Sequence, residues 1–273
     1  IADKVVDVIT TKGGKAVANC DDVSNMGGGE AVVKAAIDNF GRIDIFVNSA
    51  SILKDKMIFE MTTDDFELLI RNNLKGVFAP TKYACIMFRQ QRSGRIVNMT
   101  SDSGLGELGR SNYAAASEGI VGLTRTVARD MGKYGVTCNS ISPVASTRLF
   151  SGGVDEFRED GFPSRSARQL AGFGPIALTE NWTDAEPDDP HNTVALAAFL
   201  CSGSLPNVNG RVFGIRRGSI YLYSEPVIEK SIFKGGVFTI DELEKMVPRS
   251  LGNGIPSYID KLPPKCPQER YRG

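Results

Sequence analysis

A chain of 273 residues, 41% hydrophobic and 23% charged, is long enough to bury the core of one α/β domain. Lys plus Arg and Asp plus Glu both number 32, so the net charge is zero and no basic field is available for nucleic acid or an anionic membrane surface. Five scattered cysteines without C-x-x-C spacing and one histidine, His191, leave no recognisable metal motif and fit reduced thiols in a cytoplasmic protein.

From the first residue the apolar pattern alternates. Val5, Val6 and Ile9 recur at helical spacing and stop at Gly13 and Gly14, which predicts a helix over Ile1 to Thr11 ended by glycine. Lys15 to Asn19 reads as a short strand and Gly27-Gly28-Gly29 as a turn before a helix over Glu30 to Asn39. Ile43 to Val47 is then a buried strand. Helices over Asp64 to Asn73 and Leu74 to Gln90, a strand over Arg95 to Met99, a helix over Asn112 to Tyr134 and a strand over Val136 to Ile141 continue the series. This alternation predicts βαβ units and a parallel sheet covered on both faces.

Glycines and prolines from Leu149 to Pro190 interrupt the periodicity, and a loop of that length serves function more often than packing. Trp182 is expected to pack within that loop. A helix is expected over Asn192 to Cys201, with His191 in the solvated turn before it. Strands over Arg211 to Ile215 and Ile220 to Tyr223 flank a turn at Arg217-Gly218. Thr239 and Glu242 have capping-box spacing, which starts a short helix ending near Val247. Pro256, Pro263, Pro264 and Pro267 mark an extended tail. The chain opens on Ile1 rather than Met, and a preceding segment is expected.

The segment Gly94-Arg95-Ile96-Val97-Asn98-Met99-Thr100-Ser101, a glycine-rich loop, and Ser111-Asn112-Tyr113-Ala114-Ala115-Ala116-Ser117 together resemble the active-site core of the short-chain dehydrogenase/reductase family. The resemblance covers about Ile1 to Arg148 and, more loosely, Asn192 to Tyr223. It implies a Rossmann-like, doubly wound parallel sheet that lacks the N-terminal strand, glycine loop, helix and strand. Residues 1–223 would form this incomplete domain, with 149–190 as a substrate-side loop, and 224–273 an extension and tail. With the middle of the sheet missing, either the strand at Lys15 to Asn19 slides inward to pair with Ile43 to Val47, or a further segment fills the gap.

By the same resemblance, Tyr113 takes the position of the family's proton-transferring tyrosine, Ser101 that of the serine polarising the substrate oxygen, with Ser103 as its substitute, and Asn73 that of the relay asparagine. Asp22, Asn48, Pro143 and Thr147 match cofactor-contacting positions. The family's lysine, one helical turn after the tyrosine, is Ser117 here, and Glu118 follows. A tyrosine has a reference pKa near 10, and two or three pKa units are worth roughly 3–4 kcal/mol, so loss of that cation alone can remove orders of magnitude of rate. The loop from Ser101 to Tyr113 is one residue shorter than the family's, and Ser51 stands where its strand-end glycine would be. Gly104-Leu105-Gly106-Glu107-Leu108-Gly109 fits G-x-G-x-x-G, but no acidic residue ends a strand ~20 residues on, as a dinucleotide fingerprint requires.

Leu53 to Met57, Ser142 to Arg148 and Gly210 to Gly214 resemble the NAD-dependent 3-hydroxyacyl-CoA dehydrogenases of multifunctional β-oxidation enzymes. With its losses, the chain is also similar to the degenerate subunit found in toluene-degradation members of the family, where an active chain acting on 2-(α-hydroxybenzyl)succinyl-CoA assembles with an inactive one. The resemblance implies a non-catalytic subunit that binds no cofactor itself. NAD would be held by a homologous active partner, joined through helices 74–90 and 112–134 by Ala114, Ala115, Ile120, Leu123, Val127 and Met131. The alternatives are an active NAD-dependent dehydrogenase whose cofactor-binding segment precedes Ile1, and a non-catalytic sensor of an acyl-CoA or nucleotide.

Overall fold

Four strands with paired backbones set the frame, and a computed structural model describes residues 2–145, 147, 149, 189–205, 207–216 and 218–255. Nearly all of the 149–190 loop, with Trp182, lies outside the described residues, as do Ser146, Arg148, Arg217 and the proline-rich tail. Strands β1 (Ile45–Asn48), β2 (Gly94–Met99), β3 (Val136–Pro143) and β4 (Val212–Arg216) pair in that order, all parallel. β5 (Ser219–Leu222) closes the sheet antiparallel to β4. At that hairpin Gly214 faces Tyr221, whose ring lies where a Cβ would stand, so the glycine lets the aromatic side chain cross the backbone.

Adjacent residues of β2 feed opposite cores, as a period of two requires. Ile96 joins Val33, Ala84, Phe88, Ala128 and Cys138 on one face, under α2 (Met26–Phe40), α4 (Gly76–Gln91) and α5 (Ser111–Gly132). Val97 joins Ile141, Leu196, Leu200 and Ile215 on the other, under α6 (Pro190–Cys201). The three-layer, doubly wound α/β arrangement is thus as the periodicity predicts. Its large buried side chains, Phe88, Leu69, Ile96 and Ile141, each contribute roughly 1.5–3 kcal/mol through burial.

The strand expected over Lys15 to Asn19 does not form; residues 14–22 carry no regular structure. Its inward slide onto β1 is absent too, because β1 is the sheet's first strand and pairs with β2 alone. An isolated extended segment has no ladder to satisfy its backbone, and Val17 is 44% exposed. α1 (Ala2–Thr11) does form, amphipathic in pattern, but buries none of its residues.

The three glycines Gly27 to Gly29 are not a preceding turn but lie in the first turn of α2, which starts where the Asn25 side chain accepts from the backbone N–H of Gly28 at 2.8 Å. A Cβ at Gly28 would collide with the Asp22 carbonyl, and one at Gly29 would sit 2.7 Å from the Ala79 and Pro80 backbone of α4. The two expected helices over 64–90 form one path: α3 (Thr63–Leu69), a π turn (Ile70–Lys75) and α4. The capping box at Thr239 and Glu242 starts α7 (Ile240–Met246), with both reciprocal bonds present. The chain divides into two compact units, Ile1–Tyr223 and Ser224–Gly273, and α7 belongs to the second.

Candidate active site

Asn112, fully buried in the first turn of α5, fixes where that helix begins. Its amide donates to the carbonyls of Lys54 at 3.0 Å and Asp65 at 3.3 Å, and its oxygen accepts the Tyr113 N–H at 2.7 Å. Tyr113 is consequently held at 6% exposure, with its hydroxyl near Ser51 and Ser101. The structure therefore brings Ser101 and Tyr113 together despite the shortened loop. The loop between them opens on a 3₁₀ turn over Asp102–Leu105, capped by Ser101 accepting from the Ser103 N–H at 3.1 Å.

Burial pushes the Tyr113 phenol up from its ordinary value. The Ser51 and Ser101 contacts and the Arg110 charge act downward, Asp102 acts upward, and the net direction is up. Glu118 is exposed and does not act on Tyr113; its carboxylate closes on Gly104 instead. Ser117 is 3% exposed and its hydroxyl donates to the Tyr113 carbonyl at 2.8 Å. It back-bonds within its own helix, so one turn after the tyrosine there is neither a charge nor a free donor.

A cation that acts on the phenol is Arg110, which sequence reading does not single out. Its Nε donates to Asp55 at 2.7 Å and its Nη1 to Glu107 at 2.9 Å, all three side chains being largely buried. Burial works against the guanidinium charge, but Asp55 and Glu107 more than offset it. Two carboxylates thus pair with this one cation, and Asp102 acts on the phenol in the same unfavourable sense, the reverse of what a phenolate needs. Ser51 and the Glu107/Arg110 pair are the residues that sequence reading missed. The i, i+3 spacing of the pair beside the serines was the one available signal.

The other positions are occupied with structural work. Asn73, in the π turn, exchanges both bonds of its amide with the backbone of Ile52, at 3.0 and 2.9 Å. The Asn48 amide donates to Thr81 at 3.0 Å and Asn98 at 2.8 Å, deep beneath the sheet end. Asp22 is exposed and accepts the Ser24 N–H at 2.9 Å, a bond that lowers its pKa, so it caps a turn. Pro143 ends β3 and borders a small cavity shared with Ser101, Ser103 and Glu107, and Thr147 is exposed. His191 is solvated, as expected, and bonds to Asp189 at 2.7 Å.

A dinucleotide would need a cradle of free backbone N–H groups for its pyrophosphate, and the described residues do not fit that need. The N-terminal amide of α2 is taken by Asn25. The Gly104 to Gly109 run borders the carboxylates of Glu107 and Glu118, which would repel a phosphate. Among the described residues no cluster of His, Cys, Asp and Glu could hold a metal ion, and no helix is long and apolar enough to cross a membrane.

Of the residues expected to meet a partner, Ala115 is exposed and Ala114, Leu123 and Val127 are half-buried, while two are buried. Ile120 and Met131 are 4% and 7% exposed and belong to the chain's own core, because α5 presents them to β2 and β3. The outward side of α4 instead shows Phe78 and Ile86, 44% and 45% exposed and on one stripe of the helix. On α5, Ala115 and Gly122 are the exposed small residues.

Residues 2–150 match the family described as short chain dehydrogenase. The peroxisomal hydratase-dehydrogenase-epimerase of Neurospora crassa is 42% identical over 149 residues, 54% of this chain but 16% of that protein. The hydroxyacyl-CoA dehydrogenase ChsB1 of Mycobacterium tuberculosis is 32% identical over 245 residues, 86% of this chain and 71% of that one. Among solved structures, a short chain dehydrogenase from Mycobacterium avium superposes with a TM-score of 0.76 at 32% identity, covering 93% of this chain and 80% of the other.

Proposed function

Since the chain belongs to the short chain dehydrogenase family, we propose that it is a non-catalytic subunit of an oxidoreductase that oxidises a 3-hydroxyacyl-CoA-type thioester with NAD, and that it stabilises a homologous active subunit. The single observation that carries the reading is the state of Tyr113: buried, pushed up, with Asp102 acting upward on it, and with Ser117 in place of the lysine. A phenol so held is a poor proton acceptor near neutral pH. The substrate class rests on relatives named as hydroxyacyl-CoA and peroxisomal multifunctional enzymes. The compartment proposed is the cytoplasm, which suits the free thiols of Cys20, Cys85, Cys138 and Cys201.

One observation favours the alternative of an active dehydrogenase: Ser101 still lies near Tyr113 and acts downward on its phenol. Calorimetric titration of the purified chain with NAD separates the two. No saturable heat is expected, and tight binding would sink the scaffold reading. Ser117→Lys is expected to restore no turnover, since the new ammonium enters a site that is 3% exposed and finds no cofactor ribose to hold.

A further inference from the structure

Between β5 and α7 the chain runs from Ser224 to Thr239 without helix or strand, within the second compact unit. Polar bonds nevertheless fix its course. Lys234 Nζ donates to the Val237 carbonyl at 2.9 Å and to both carboxylate oxygens of Glu242 at 2.6 Å, across the turn at Gly235 and Gly236. Lys230 donates to the Asn253 carbonyl, and Thr239 and Glu242 close the capping box of α7. The segment so held has two sides: Ile232, Lys234 and Phe238 are half-buried, whereas Phe233 and Val237 between them are exposed. With Val227, Ile228 and Ile240, these two are 74–91% exposed. Among the described residues the four barest large hydrophobics, Phe233, Ile228, Val237 and Val227, all lie here. An arm shaped by its own polar bonds, with its apolar side chains outward, has little ordering left to lose on binding.

We infer that residues 227–240 form the contact through which this chain pairs with a second copy of itself. At their exposures the five side chains present about 800 Å², the share that one partner contributes to a standard interface. That is more than the roughly 300–600 Å² of the largest apolar patch on a typical monomer. Two such arms meeting across a two-fold axis bury about 1,600 Å² in total, enough for a stable dimer, and each apolar row then meets its own equivalent. Charge does not oppose the pairing. Glu225 and Glu229 balance Lys230 and Lys234 within the segment, and the whole chain has zero net charge, so copies do not repel and no anionic or cationic partner is selected. The arm lies outside helices α4 and α5 of the contact proposed with a homologous subunit, and the pairing stands whether or not the chain is catalytic.

Sedimentation equilibrium of the full chain over a range of concentrations tests the pairing. The wild-type chain is expected to dimerise, and its urea midpoint to rise with protein concentration, as it does where unfolding is linked to dissociation. Phe233→Glu and Val237→Glu each place a carboxylate in the contact and should raise the dissociation constant roughly 30-fold or more, the effect of losing an interface anchor. Phe233→Ser, which adds no charge, should weaken pairing in the same direction, and far-UV circular dichroism of all three should match the wild type because both positions are exposed. Ile86→Glu on α4 should leave pairing unchanged. A wild-type chain that stays monomeric overturns the inference. So does a dimer that the folded arm variants leave intact, or one that only Ile86→Glu dissolves. A chain that is monomeric alone and associates only with an active homologue also overturns it, and would assign the arm to that homologue.

Discussion

Tyr113 and Ser117 illustrate how far a residue pattern carries and where it stops. Their spacing identified both positions, and the loss of the lysine was plain in the sequence. The charge around Arg110 was not, since it depends on Asp55, which lies 55 positions before Arg110 in the chain. Asp65 makes the same point for stability. It is 2% exposed and accepts Lys54 at 2.5 Å and Lys56 at 2.8 Å, and these lysines, with the Thr62 cap, hold its carboxyl well below the ordinary 3.8. A depressed folded-state pKa contributes stability that is full above 3.8 and is lost as pH falls towards the folded value. Asp65→Asn should therefore lower the urea midpoint clearly at pH 7 and by a smaller amount at pH 3. Equal losses at both would mean that the ion pairs are not the cause.

At the scale of elements, helices were legible and the first strand was not. A helix satisfies its own backbone, so α1, α2 and α5 follow from periodicity and caps. Lys15 to Asn19 has strand composition, but a strand exists only with a partner, and β1 pairs on its other side alone. The glycines of α2 were misread because their requirement is tertiary: Gly28 and Gly29 admit the Asp22 loop and α4. Gly28→Ala should cost about 1–3 kcal/mol by overpacking. Gly122→Ala on the open side of α5, where a Cβ meets nothing within 4 Å, should gain about 0.5–1 kcal/mol. Urea unfolding of both variants checks this. If the outward side of α5 docks a partner, Gly122→Ala should stabilise the isolated chain and weaken assembly, measurable by sedimentation; unchanged assembly would move the interface elsewhere.

For the whole molecule, a parallel sheet covered on both faces was readable from alternation alone, and the doubly wound order from the family resemblance, whereas the surroundings of Tyr113 required the packed structure. The sheet and its two cores belong to the short chain dehydrogenase fold. On the proposed reading, the fold is kept and the chemistry is not, which is what a stabilising subunit needs. The most direct test is Tyr113→Phe in this chain, assembled with its active homologue and assayed for NAD reduction with a 3-hydroxyacyl-CoA. The account predicts that kcat stays within about twofold of the unaltered complex. A fall of the size that removing general acid–base catalysis produces, about 10²-fold or more, would show that Tyr113 works, and would contradict it.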